Sequence, residues 1–336
     1  MEMKKLLRWR SAWIGCAMLW IMLAHSGLDF SFVPLAQWKQ WGYGGVDICL
    51  FASGIGCWFS LDKEPDALRF LKRRVQRLAP AYLCFLPVWF AYEAVMHGYS
   101  WRKALGNVLG IQSFTGLGGS FSWYISALVL LYLLAPYLKD LADRVQTGRR
   151  QLLVLGVLLL VSVPFWGADG LIIMVTRLPV FYVGMLFAKG CHRGDSLQKW
   201  EVAVLGAGVV LGIGLLYVCG RWLPEYMWSY GLYWYPFILF TPGFCVLIGL
   251  LFAWMEQRKG FAWLLRGMET VGRNSFEVYL VHVFLYEEVL REMDLSRIPV
   301  PRNLFWLGTI PVVMLGCILL KKAAGLFRRK WVTLSR

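Results

Sequence analysis

The sequence predicts an all-α fold, a polytopic membrane helical bundle of about ten transmembrane helices forming one domain over residues 1–336. Three observations carry this. Hydrophobic residues make up 58% of the chain and charged residues only 16%, against about 25% charged in soluble domains. Apolar stretches long enough to cross roughly 30 Å of hydrocarbon as helices recur from end to end, with short charged or Gly/Pro breaks between them. The 18 Trp, 15 Tyr and 21 Phe supply the aromatic belts that sit at membrane–water interfaces.

The expected spans are 11–28, 42–60, 79–96, 121–138, 151–167, 173–188, 200–219, 233–254, 271–291 and 303–320. Each is bounded by the polar segment that ends the one before. An even number of crossings places both termini on one side. Of the 35 lysines and arginines, 27 fall in the segments 1–10, 61–78, 139–150, 189–199, 255–273 and 321–336, which alternate with the spans. Basic residues accumulate in cytoplasmic loops, so both termini are expected in the cytoplasm of a plasma (inner) membrane protein. The basic start MEMKKLLRWR and the Ala24-His25-Ser26 triplet imitate a secretory signal. Nine further spans already commit the chain to the membrane, so the first is expected to be retained. No internal repeat, low-complexity tract or appended soluble domain is apparent, which leaves the bundle as the place for any chemistry.

Several function classes fall away on the same grounds. A net charge of +15 would suit nucleic acid only if the cations clustered on a soluble face. Here they are parcelled between apolar segments. The eight cysteines are scattered without CxxC pairs and read as packing residues. No two histidines have ligand spacing, so no metal is expected. The nucleophile elbow and the Walker A signature are missing too.

What stands out is polarity where it is expensive, since an ionisable side chain in hydrocarbon costs about 2.5–3.5 kcal/mol on insertion scales. His25 lies 15 residues after Arg10, roughly 22 Å along the first helix at about 1.5 Å per residue, past the midpoint toward the outer face. In the basic loop 61–78, Arg69, Arg73 and Arg77 share one helical face with Arg74 beside them. Guanidinium groups match phosphate oxygens in bidentate fashion, so this stripe suits a nucleotide; it also suits a positive-inside anchor touching anionic lipid head groups. In GYGGVDICLFASG, Gly42, Gly44 and Gly45 permit close backbone approach, and Asp47 either caps the helix start or orients an imidazole across the bundle. Ser275, Tyr279 and His282 lie on one face of the ninth span, as a structural polar stripe or as part of a site. Arg177, Trp123 and Tyr124 fall at outer helix ends, where aromatic residues anchor the belt. His97 and His192 look like solvated surface.

These segments together resemble the integral-membrane acyltransferase-3 family. The marks are the histidine ending MLWIMLAHS, the opening GYGGVDICLFASG, RRVQRLAPAY with an RxxR made by Arg74 and Arg77, FSWYISALVLLYLLAPYL, RLPVFYVGMLFAKG and NSFEVYLVH. Each is weak alone; six in order at matching helix ends are specific. The resemblance implies transfer of an acyl group, usually acetyl, from a cytoplasmic coenzyme A thioester to a surface carbohydrate or related acceptor. By the same resemblance His25 is the catalytic residue, Arg74 and Arg77 bind the donor, and Asp47 supports the site; Arg73, in the same arginine stripe, is a further candidate to bind the donor. Arg177, Trp123, Tyr124 and His282 are then candidates to meet the acceptor. Many relatives carry an arginine eleven residues before the histidine, where this chain has Ile14; the nearest arginine is Arg10, one turn closer to the cytoplasm.

Acyl transfer to a hydroxyl needs a base for the proton and positive charge for the oxyanion. An imidazole meets the first need at neutral pH, so His25 is expected to act as general base, with an acyl-histidine relay as the competing mechanism. The donor is expected to be acetyl-CoA or another acyl-CoA, with a carbohydrate or lipid-linked acceptor and membrane lipids as partners. The alternative class is a transporter or flippase of a lipid-linked sugar, although no second copy of the first half is visible, as many transporters would show.

Overall fold

A computed structural model describes residues 2–98, 100–114, 122–168, 170–295 and 299–334. Phe121, where the fourth span was expected to begin, lies outside the described residues. The long helices are α1 (Arg10–His25), α2 (Gly45–Lys63), α3 (Ala67–Met96), α4 (Trp123–Arg144), α5 (Gly148–Leu160), α6 (Leu178–Arg193), α7 (Lys199–Trp222), α8 (Pro236–Glu256), α9 (Ala262–Arg273), α10 (Ser275–Val283) and α11 (Arg302–Leu334). The described residues form an all-α bundle without strands, and eight helical segments are long and apolar enough to cross a membrane. The other two expected spans are present in reduced form. The first is α1, with only 16 residues. The ninth is α10 followed by a π-helical turn, Phe284–Val289, and the short helix Leu290–Glu292.

Two boundaries move for physical reasons. The basic segment 61–78 is almost wholly helical, because α2 runs to Lys63 and α3 begins at Ala67. Asp66 caps α3 by accepting from the Arg69 amide at 2.8 Å, a contact whose loss typically costs about 1 kcal/mol. The helix then continues through Pro80 and Pro87. The segment 255–273, expected as a loop, contains α9, which breaks from α10 at Asn274.

At the centre are α1, α2 and α6. A methyl group on Gly54 would lie 2.1 Å from the Phe181 carbonyl oxygen, and one on Gly184 would lie 2.2 Å from that of Phe51. Only glycine lets α2 and α6 approach this closely. On the periphery, Leu152 and Val157 of α5 and Val210 of α7 are exposed, as expected of a surface that faces lipid tails. The chain is an integral membrane protein. Lys321 near the end of α11 donates to Asn274 at 2.7 Å, while Arg302 at its start donates to the Gly27 carbonyl at 2.8 Å. The end of the bundle that carries Arg10, Asn274 and Lys321 is called the basic end below, and the end that carries His25 and Arg302 the histidine end.

Candidate active site

His25 sits at the last turn of α1, half-buried, in a cavity of about 770 Å³ at the histidine end, lined also by Tyr43, Tyr286, Glu287, Arg291, Arg302 and Trp306. Its Nδ1 lies 2.9 Å from the Ile21 carbonyl oxygen. A carbonyl can only accept, so Nδ1 carries the proton and Nε2 keeps its lone pair. Tyr43 meets the ring edge-on, with centroids 4.9 Å apart. Its position follows from the glycines around it: a methyl on Gly42 would lie 2.4 Å from the Trp20 carbonyl oxygen, and one on Gly45 2.5 Å from that of Ala17. The start of α2 therefore rests on the backbone of α1.

Behind His25 lies His282, completely buried, with ring centroids 5.3 Å apart. Its Nδ1 is 2.7 Å from the Val278 carbonyl oxygen, so its Nε2 is likewise an acceptor, and among the described residues no group donates to it. The two imidazoles are tilted by 60° to one another, each with Nε2 as an acceptor, and a hydroxyl or water is the chemistry that would satisfy these nitrogens.

A second cavity, about 200 Å³, opens at the basic end and is lined by Arg10, Ile14, Arg74, Arg77, Tyr124, Arg273 and Glu277 among others. Arg74 donates to the Gly56 carbonyl at 2.8 Å and lies over the rings of Phe70 and Tyr132. Among the described residues neither Arg10 nor Arg77 has a hydrogen-bond or ion-pair partner. The two cavities share no lining residue. Between them runs a layer of contacting rings, His25 to His282 to Tyr279 at 6.0 Å and Tyr279 to Tyr124 at 4.9 Å. On α1 the gap from Met18, at the lower cavity, to His25 is about 10 Å.

A family profile described as an acyltransferase domain matches residues 15–322. The chain belongs to the acyltransferase-3 family. No curated protein and no solved structure gave a match.

In this membrane acyltransferase the residues expected to form one site fall into three groups. His25 and His282 meet at the histidine end. Arg74 and Arg77 share the cavity at the basic end with Arg10, and Ile14 lines it one turn further in. Tyr124 also lies here, at the lower edge of the ring layer rather than at the histidine-end cavity. Arg73 turns away, exposed, toward the Ser60 carbonyl at 3.4 Å.

Asp47, Arg177 and Trp123 form the third group, and they line neither cavity. Asp47 Oδ2 is 3.9 Å from Arg177 Nε, with both side chains fully buried. Arg177 also donates to the Ile173 carbonyl and is held between the rings of Trp234 at 4.0 Å and Trp123 at 5.1 Å. Asp47 therefore serves a guanidinium, not the imidazole, because a buried charge demands its counter-charge first. Arg177, walled in by two tryptophans, has no exposed face to offer a sugar.

Sequence reasoning missed Tyr43, Glu287, Arg291 and Arg302. Tyr43 stands inside the glycine motif, between Gly42 and Gly44, and Glu287 lies within the expected ninth span. The pair Glu287-Glu288 inside an otherwise apolar segment was the available signal.

Proposed function

We propose that this acyltransferase moves an acyl group, acetyl in the simplest case, from a cytoplasmic acyl-CoA to a hydroxyl of a carbohydrate or lipid-linked acceptor at the opposite membrane face, with His25 as general base. The observation that supports this is the stacking of the two cavities: unpaired arginines at one end, an imidazole with an available Nε2 at the other, and one layer of rings between. Arg74, Arg77 and Arg10 hold the phosphates of coenzyme A at the basic end, taken as cytoplasmic from its excess of lysine and arginine. The pantetheine arm enters the lower cavity, and its thioester meets His25 when the ring layer parts.

The acceptor hydroxyl enters from the larger cavity. His25 Nε2 takes its proton as the oxygen attacks the thioester carbon; the new C–O bond forms, the C–S bond breaks, and the leaving thiolate recovers the proton from the imidazolium. Arg291 and Arg302 supply positive potential where the oxyanion develops. His282 accepts a hydrogen bond from the acceptor or from a water that orients it. Lipid tails cover the apolar flanks.

Sidedness tests this reading. In proteoliposomes with one orientation, radiolabelled acetyl-CoA supplied only to the side of the termini should label acceptor supplied only to the other side. Labelling that requires both substrates on the same side would overturn it.

A further inference from the structure

With Asp47 engaged by Arg177, the imidazole of His25 lacks the carboxylate expected from sequence, yet one carboxylate does line its cavity. That residue is Glu287, and the backbone explains how it gets there. In an α-helix continuing from His282, residue 287 would lie about 140° round from the imidazole, facing away. The turn Phe284–Val289 is π-helical, closing from i to i+5, so each of its residues lags behind the α-helical course. Tyr286, Glu287, Leu290 and Arg291 from this turn and its end all line the cavity.

The turn is held at both sides. Tyr286 bonds to Thr309 of α11 at 2.8 Å. At its far end Tyr92 of α3 donates to the Glu288 carbonyl at 3.1 Å and to Glu292 at 2.7 Å. Arg291 reaches Glu287 Oε2 at 3.3 Å, while Oε1 has no protein partner among the described residues. Glu287, His25 and Tyr43 line the same cavity. The other polar side chains lining it are Ser26, Tyr286, Arg291 and Arg302, with His282 behind His25, so Glu287 supplies the negative charge of the lining.

We infer that Glu287 is the positioning carboxylate of His25, delivered by the π-helical turn, and that it stabilises the imidazolium formed when His25 takes the acceptor proton. This rests on the reading of His25 as general base. π-helical turns concentrate at functional sites because the extra residue costs helix stability and persists where it places a side chain. Arg291 fixes the carboxylate from one oxygen and leaves the other to face the cavity.

The test uses the full chain in nanodiscs, following thiol release from acetyl-CoA with the host's envelope glycan as acceptor. Glu287→Gln should lower kcat about 10- to 100-fold while the KM for acetyl-CoA and the melting temperature stay at wild-type values. Glu287→Asp should recover a substantial part of kcat, and Glu288→Gln, on the neighbouring carboxylate, should leave it unchanged. A wild-type kcat in Glu287→Gln, or an equal loss in Glu288→Gln, overturns the inference. If His25→Ala retains full activity, the base reading itself falls; if His25→Ala is inactive and Glu287→Gln is normal, only the present inference falls.

Discussion

The two ends of the bundle differ in what they leave unpaired. At the basic end Arg10 and Arg77 stand without an ion-pair partner among the described residues, beside Arg74 on the Gly56 carbonyl and Arg273 on Glu269; the four surround about 200 Å³ with Glu277 as the one acid on its wall. At the histidine end the cations are already engaged, Arg291 by Glu287 and Arg302 by the Gly27 carbonyl, and what stands open is an imidazole nitrogen in about 770 Å³. A narrow cavity of free positive charge suits the anionic part of a donor. A wide one with a neutral base suits a hydroxyl compound. Nature of charge, more than size, separates the two jobs, because free guanidinium binds phosphate and free imidazole moves protons.

That contrast can be broken by substitutions that should split binding from chemistry. His25→Ala should lower kcat by about 10²–10⁴-fold, the usual worth of a general base, with donor affinity intact by equilibrium binding of acetyl-CoA. Arg74→Ala combined with Arg77→Ala should do the reverse, weakening acetyl-CoA binding by about 10- to 100-fold, since each charged hydrogen bond is worth about 1.5–3 kcal/mol. Exchange of these two phenotypes would assign the cavities the other way round.

Asp47→Ala sharpens the comparison from outside both cavities. It strands Arg177 without its counter-charge, so stability should fall by about 3–5 kcal/mol, visible as a lower melting temperature in detergent. The ratio of kcat to KM per folded molecule should change little. A selective loss of kcat in fully folded protein would instead place Asp47 in the chemistry.

The smallest effect concerns the strap at the histidine end. The hydrogen bond from Tyr92 is the main cause holding the Glu292 carboxyl below its ordinary range, with His97 adding to it. A carboxylate depressed in the folded state contributes stability above its unfolded pKa, and that contribution is lost as pH falls through the folded value. Melting temperature should therefore decline at acid pH in the wild type and decline slightly less in Tyr92→Phe. Because Glu292 is solvated, the difference should be small.

The sequence by itself determined the helical class, the bias of basic charge to alternate segments and the family, and it singled out His25, Arg74 and Arg77 as candidates. These are written in local patterns: apolar runs of membrane length, cations at their ends, and a costly imidazole inside hydrocarbon. Tertiary structure alone decided which polar residues meet. Asp47 and His25 both belong to the same third of the bundle, but helix rotation turns Asp47 to Arg177. Glu287 lines the cavity of His25 from a turn that is π-helical, and a spacing rule built on 3.6 residues per turn does not describe that register. The separation of two cavities by four rings likewise depends on contacts among α1, α4 and α10, which no span of sequence contains.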